Sequence, residues 1–274
     1  MKRFLGKFVA VSMLMASSLA HAGLISGFED GLKDWTTLGD VSVQTAASGL
    51  APTQGRNLVF LSTLGANETP YSGVASPASS AARNFLGIQT IPGTGCCDGP
   101  TMAGFPLVDT SMPGGGTLDY AMVGESAAIK TQFTVSHAGY VSFDWDRIGT
   151  DTDNAYYTIW SDELGSRLNG WIYEPHISTE PFTAIDVGLC ARTTHSANGC
   201  SSYDAHTDWH EKRVWIDTPG TYFLGFGMNE IAEYTVGTVL AIDNVRFNVV
   251  PEPDGVFLFG LAGAALLLAR RRRA

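Results

Sequence analysis

Basic residues are scarce in this sequence. Only 17 Lys and Arg stand against 27 Asp and Glu in 274 residues, a formal net charge of −10. That balance excludes a nucleic-acid-binding surface, because a phosphate backbone requires a basic face. Charge of either sign is thin, at 16% of residues, well under the usual quarter or so. Aromatics at 11% exclude wholesale disorder. The apolar runs near the two ends fall short of the ~20 residues that a bilayer core usually requires. No G-x-S-x-G, H-E-x-x-H or phosphate loop occurs, so the motifs that announce nucleophilic, zinc-dependent or nucleotide chemistry are missing. Paired carboxylates such as Asp162 and Glu163 do not fill the gap, since their separation cannot be read from sequence. A non-enzymatic protein is expected.

What is present begins with two address-like ends. Residues 1–22 have the three parts of a secretory signal peptide. Lys2, Arg3 and Lys7 form a cationic start, Phe8 to Leu19 an apolar run, and Ala20-His21-Ala22 a small-residue cleavage sequence before Gly23. At the other end Pro251-Glu252-Pro253 precedes an apolar, glycine-containing run from Val256 to Ala269 and then Arg270-Arg271-Arg272-Arg273. As a helix, residues 256–269 span roughly 21 Å. Four arginines cannot be packed into a core, and they fit a cytoplasmic stop that leaves the rest of the chain outside.

This tail, residues 250–274, resembles the PEP-CTERM sorting signal of exported bacterial proteins. The resemblance implies recognition of Pro251, Glu252 and Pro253 by an exosortase, transient anchoring in the inner membrane by a short transmembrane helix, and a host that makes exopolysaccharide. The two prolines suit such a motif because they hold the segment extended and apart from the following helix. The expected destination is the cell surface or extracellular matrix.

Between the ends lies residues 23–249 as a single domain. The ends carry seven of the basic residues and two of the acidic ones, which leaves 10 basic against 25 acidic. So acidic a domain repels anionic polymers unless divalent cations bridge them. Short alternating segments recur: Asp40 to Gln44, Leu58 to Leu61, Ala128 to Val135, Tyr140 to Asp146, Tyr157 to Trp160, Arg213 to Asp217, Tyr222 to Phe226 and Val239 to Val249. Turn signals separate them at Pro92-Gly93, Gly114-Gly115-Gly116, Asn169-Gly170 and Pro219-Gly220, with no convincing helical stripe, no repeat and no linker. The pattern predicts an all-β sandwich of jelly-roll type, with residues 64–117 as long loops over it.

Two segments carry a second resemblance. Phe28-Glu29-Asp30-Gly31 with Trp35, and Ile242-Asp243-Asn244-Val245-Arg246-Phe247, resemble the opening and closing strands of jelly-roll domains similar to carbohydrate-binding modules. The resemblance implies a structural Ca²⁺ held by Glu29, Asp243 and backbone carbonyls, a set of hard oxygens that suits that ion. It also directs attention to surface aromatics able to stack on sugars. Trp145, Trp160 and Trp215 lie in apolar-periodic strands and read as core, whereas Trp171 and Trp209 read as exposed and are the expected carbohydrate-binding residues, with exopolysaccharide as the ligand.

Two further clusters read less distinctly. Asp144, Asp146, Asp151, Asp153 and Asn154 lack the spacing of an EF-hand loop and read as a polar sheet face and turn. Asp204, His206, Asp208 and His210 would share one strand face, but same-face neighbours sit ~7 Å apart, so all four cannot reach one ion. All four cysteines, Cys96, Cys97, Cys190 and Cys200, fall in the exported part, where disulfides are expected. A Cys190–Cys200 bridge closes a short polar loop, leaving Cys96–Cys97 as a vicinal pair. Cross-pairing between the two sets is the alternative.

Overall fold

The computed structural model describes residues 22–63, 69–77, 79–88, 90–91, 101–102, 123–149, 153–173, 181–185, 187, 205–231 and 237–250. Residues 1–21 of the leader, the PEP motif, the apolar tail with its arginines and all four cysteines lie outside them. Among the described residues no helix is long and apolar enough to cross a membrane.

The strands, in chain order, are β1 (Ala22–Ser26), β2 (Thr36–Leu38), β3 (Asp40–Thr45), β4 (Asn57–Ser62), β5 (Thr90–Ile91), β6 (Thr101–Met102), β7 (Val123–Val135) and β8 (Gly139–Ile148), followed by β9 (Asn154–Ser161), β10 (Ser166–Tyr173), β11 (Thr183–Ala184), β12 (Ala205–His206), β13 (His210–Ile216), β14 (Gly220–Ile231) and β15 (Val239–Val249). One short helix, α1 (Ser79–Phe85), lies between β4 and β5. An eight-stranded sheet runs β11-β12-β8-β15-β4-β3, with β1 added on β15 and β13 on β8. A five-stranded sheet runs β10-β9-β14-β7-β2. All these pairings are antiparallel. The predicted β-sandwich is the observed fold.

Period-two alternation sets the core. Val141, Phe143 and Trp145 of β8, Val214 and Ile216 of β13, and Leu240, Ile242, Val245 and Phe247 of β15 pack against Ala155, Tyr157 and Ile159 of β9 and Leu224, Phe226 and Met228 of β14. The two resemblance motifs enter this same core. Phe28 rings against Trp35 at 5.5 Å, and Trp35 against Phe226 at 6.0 Å, so the opening segment is anchored between the sheets.

Two differences from the sequence reading matter for the site. First, β9 is buried on both faces. Its outward Tyr156 packs with Ala82, Leu86, Ile88, Ala128 and Trp171, so α1 and the turn after it cover this face of the five-stranded sheet. That helix lies where loops were expected, because Ala82 and Leu86 need only one turn to reach the sheet. Gly225 permits the approach, since a Cβ there would lie 2.5 Å from Leu86 Cδ2. Second, Asn169-Gly170 is not a turn but the middle of β10, paired with Thr158 and Tyr157. Gly170 serves packing, because a Cβ would meet Tyr157 Oη at 2.5 Å. An apolar cluster also forms outside the eight-stranded sheet, where Leu58, Phe60, Ile148, Val239 and Ala241 lie beneath Leu50, Tyr71, Val187 and Trp209.

Candidate functional site

Glu29 and Asp243, 214 positions apart in sequence, are both brought to the loop that leads into β4. Asp243 sits in β15 and is fully buried. Its Oδ2 accepts from Thr53 Oγ1 at 3.0 Å and Gln54 N at 2.8 Å, and its Oδ1 from Asn244 N at 2.6 Å. Glu29 Oε1 accepts from Arg56 N at 2.7 Å and Asn57 N at 3.0 Å. Gly55, at φ +66°, completes the lash, because a Cβ would stand 2.2 Å from Glu29 Oε1. The Arg56 and Asn57 amides hold the Glu29 carboxyl below the usual carboxylate range. Burial pushes the Asp243 carboxyl up, against the hydrogen bonds from Gln54, Asn244 and Thr53.

As a calcium cradle this arrangement fits poorly. Three of the four carboxylate oxygens, Asp243 Oδ1 and Oδ2 and Glu29 Oε1, already accept from N–H or O–H donors. No group of three His, Cys, Asp or Glu among the described residues is arranged to hold a metal. The pair ties the opening segment and β15 to one loop. Asp243→Ala is expected to cost about 2 kcal/mol by removing the acceptor of three donors, of which the Asn244 amide is buried, read as a lower Tm. Chelation by EDTA tests calcium at this loop: a fall in the wild-type Tm would support the ion, and an unchanged Tm would retire it.

The second cluster is built on β8. Asp146 is fully buried, with His206 Nδ1 2.5 Å from its Oδ2 and Thr207 Oγ1 donating to its Oδ1 at 3.1 Å. His206 Nε2 lies 3.3 Å from Asp208 Oδ1. Both imidazole nitrogens are thus engaged by carboxylates, which removes His206 as a metal ligand. His210 turns away to stack on Trp145 at 5.0 Å. The alternation expected over 204–210 fails because residues 207–209 are not strand and Asp208 sits at φ +64°. Burial pushes the Asp146 carboxyl up, and the bond to His206 opposes it. Asp204 lies outside the described residues. Of the acidic series, Asp144 and Asp146 do lie on an outward sheet face, while Asp153 is buried and accepts from Thr63 Oγ1 at 3.0 Å.

The tryptophans redistribute. Trp171, expected to be exposed, is 7% exposed and lies edge-on to Tyr156 under α1. Trp209 is half-buried in the outer apolar cluster and donates its indole N–H to Ala51 O at 3.0 Å. Trp215, expected in the core, is 42% exposed. The reason is local: Val214 and Ile216 take the inward positions of β13, and alternation turns Trp215 out. Its register partner on β8 is Tyr140, itself 38% exposed. Their rings meet edge to face, with centroids 4.7 Å apart and planes at 63°. The signal was in the sequence, since Tyr140 precedes the inward triplet Val141, Phe143 and Trp145.

Around this pair the outward face of the eight-stranded sheet is polar. Register places Asn248 beside Tyr140, Arg213 and Arg246 on either side of Ser142, and Glu211 beside Asp144. Arg213 donates from Nε and Nη2 to Glu211 Oε2 at 2.9 and 2.6 Å, and Arg246 Nη2 lies 3.8 Å from Glu211 Oε1. Asn248 Nδ2 donates to Ser142 Oγ and Asn244 Nδ2 to Asp144 Oδ2, both at 2.9 Å. The result is an aromatic pair bordered by a strip of donors and acceptors.

No family model matches the chain, and neither does any curated protein. Solved structures that resemble it include a carbohydrate-binding module in complex with β-1,4-galactotriose, at TM-score 0.35 and 12% identity, covering 81% of this chain and 94% of that one. A carbohydrate-binding module with specific mannan recognition follows at TM-score 0.34 and 10% identity, covering 85% and 100%. The enzymatically active domain of a bacteriophage tailspike protein resembles it at TM-score 0.36 and 10% identity, covering 82% of this chain and 20% of that one. At these TM-scores the likenesses decide neither ligand nor activity. The sandwich stands on its own two sheets.

Proposed function

We propose that this is an exported, non-enzymatic protein whose β-sandwich binds glycan at the Tyr140–Trp215 face. One observation carries the reading: two large aromatics stand exposed side by side, and the outward residues next to them on β8, β13 and β15 are hydrogen-bonding groups. An aromatic face takes the apolar C–H face of a sugar ring, and the polar surround takes its hydroxyls. Isolated exposed apolar residues mean little, but a register-matched Trp–Tyr pair is not isolated. Binding of soluble polysaccharide that is lost in Trp215→Ala, with folding intact, tests it.

Export and sorting through Pro251-Glu252-Pro253, an exosortase partner, passage through the inner membrane and association with exopolysaccharide belong to the same proposal. They are supported by the leader and tail motifs alone. Mass spectrometry of the protein recovered from outside its host is expected to end before Val256. An intact terminus through Ala274 in that material would contradict sorting with cleavage. The Cys190–Cys200 bridge is proposed alongside, and peptide mapping without reduction decides its pairing.

A further inference from the structure

We infer that the Tyr140–Trp215 face is a single-sugar subsite for a neutral pyranose at a chain end or on one soluble chain, and not a platform for a flat polymer surface or a polyanion. This rests on the glycan reading above and sharpens it. The rings set the size of the site. Carbon contacts are optimal at about 3.5–4.0 Å, so a sugar held between two aromatic faces needs roughly twice that separation. The centroids are 4.7 Å apart, which leaves no such gap. A flat ribbon of polymer needs coplanar rings to lie across, and these planes meet at 63°. The edge of one ring also covers part of the other's face. What remains is one stacking surface for one sugar ring.

The charges set the chemical class. The two cations of the strip, Arg213 and Arg246, both turn to Glu211, and Asp144 is the register partner of Glu211 on β8. Lys212, between Glu211 and Arg213 in sequence, points to the opposite face, toward the Tyr157 ring at 5.8 Å. Two positive groups against two negative ones leave the strip balanced, on a domain with 10 basic and 25 acidic residues. A carboxylated or sulfated polymer meets no uncompensated cation among these residues and a repulsive field around them. A neutral sugar finds N–H donors and carboxylate and amide acceptors in alternation, and its binding is insensitive to salt.

The experiment uses the purified full-length protein and its Trp215→Ala variant. Probes are glucose, galactose and mannose, their oligosaccharides, alginate and suspended crystalline cellulose. The inference expects at least one neutral sugar to bind weakly, in roughly the millimolar range. Per-site affinity should stay within about threefold from monosaccharide to hexasaccharide, because one ring makes the contacts. High salt should not weaken it, and neither alginate nor crystalline cellulose should be retained. A gain of about tenfold or more with chain length, or retention of cellulose or alginate that the variant loses, would overturn the single neutral subsite while leaving the glycan reading intact. Binding that survives Trp215→Ala, or none with any probe, would remove the glycan reading and the inference together.

Discussion

Replacing His206 with Ala is expected to destabilise the protein by about 3 kcal/mol, because it removes a hydrogen-bond partner from a fully buried carboxyl group. Asp146 has no exposure to water, so losing His206 Nδ1 leaves a buried carboxylate with only Thr207 Oγ1 among its side-chain partners described above. The loss extends beyond one bond. His206 pairs in register with Ile148, Thr207 N donates to Arg147 O at 3.0 Å, and Gly149 N donates to Ala205 O at 2.7 Å. All of these fasten the 205–208 segment to the end of β8. For a domain of this size the Tm should fall by roughly 6–12 °C.

The pH dependence follows from the direction of the Asp146 shift. Burial raises its folded pKa, and a carboxyl raised on folding contributes stability that is present at low pH and lost as pH rises through the folded value. Without His206, whose hydrogen bond lowers that pKa, the variant takes up its proton at higher pH than the wild type. The gap between the two should therefore narrow as the pH is lowered from neutral. Urea denaturation of both proteins across that range measures it. A gap that stays constant or widens on acidification would contradict the role assigned to Asp146.

Much of the fold was legible in the sequence because alternation and turn chemistry act locally. Tyr140 to Asp146 read correctly, with Val141, Phe143 and Trp145 inward, since each position is decided by its neighbours two residues away. Trp215 reads as core by hydrophobicity, being the largest apolar group in its strand, but parity decides its side, and the β-branched Val214 and Ile216 hold the inward positions. Trp171 failed for a non-local reason, since it is covered by α1, about 90 residues earlier in the chain. Nothing near Asn169-Gly170-Trp171 records that helix. Glu29 and Asp243 stand out in the opening and closing motifs, yet the loop whose donors they accept, Thr53 to Asn57, carries no signal in sequence. Amide directions come from backbone conformation, which no spacing rule conveys.

The outward position of Trp215 gives the sharpest functional contrast. Trp215→Ala is expected to weaken glycan binding by about 30-fold, since an aromatic anchor in a binding site contributes about 2 kcal/mol. Tyr140→Ala should have a similar effect, because each ring fixes the other's orientation through their edge-to-face contact. Neither change touches the core, whose inward positions on these strands are Val141, Val214 and Ile216, so the Tm should move little. Trp171→Ala should do the reverse. Its side chain is packed with Tyr156, Leu86 and Ala82, and truncating a buried aromatic costs about 3–5 kcal/mol. Measuring Tm and sugar affinity on all three variants separates a binding face from a packing residue. If Trp171→Ala lost affinity at unchanged Tm while Trp215→Ala kept it, the site would belong on the α1-covered sheet and not on the Tyr140–Trp215 face.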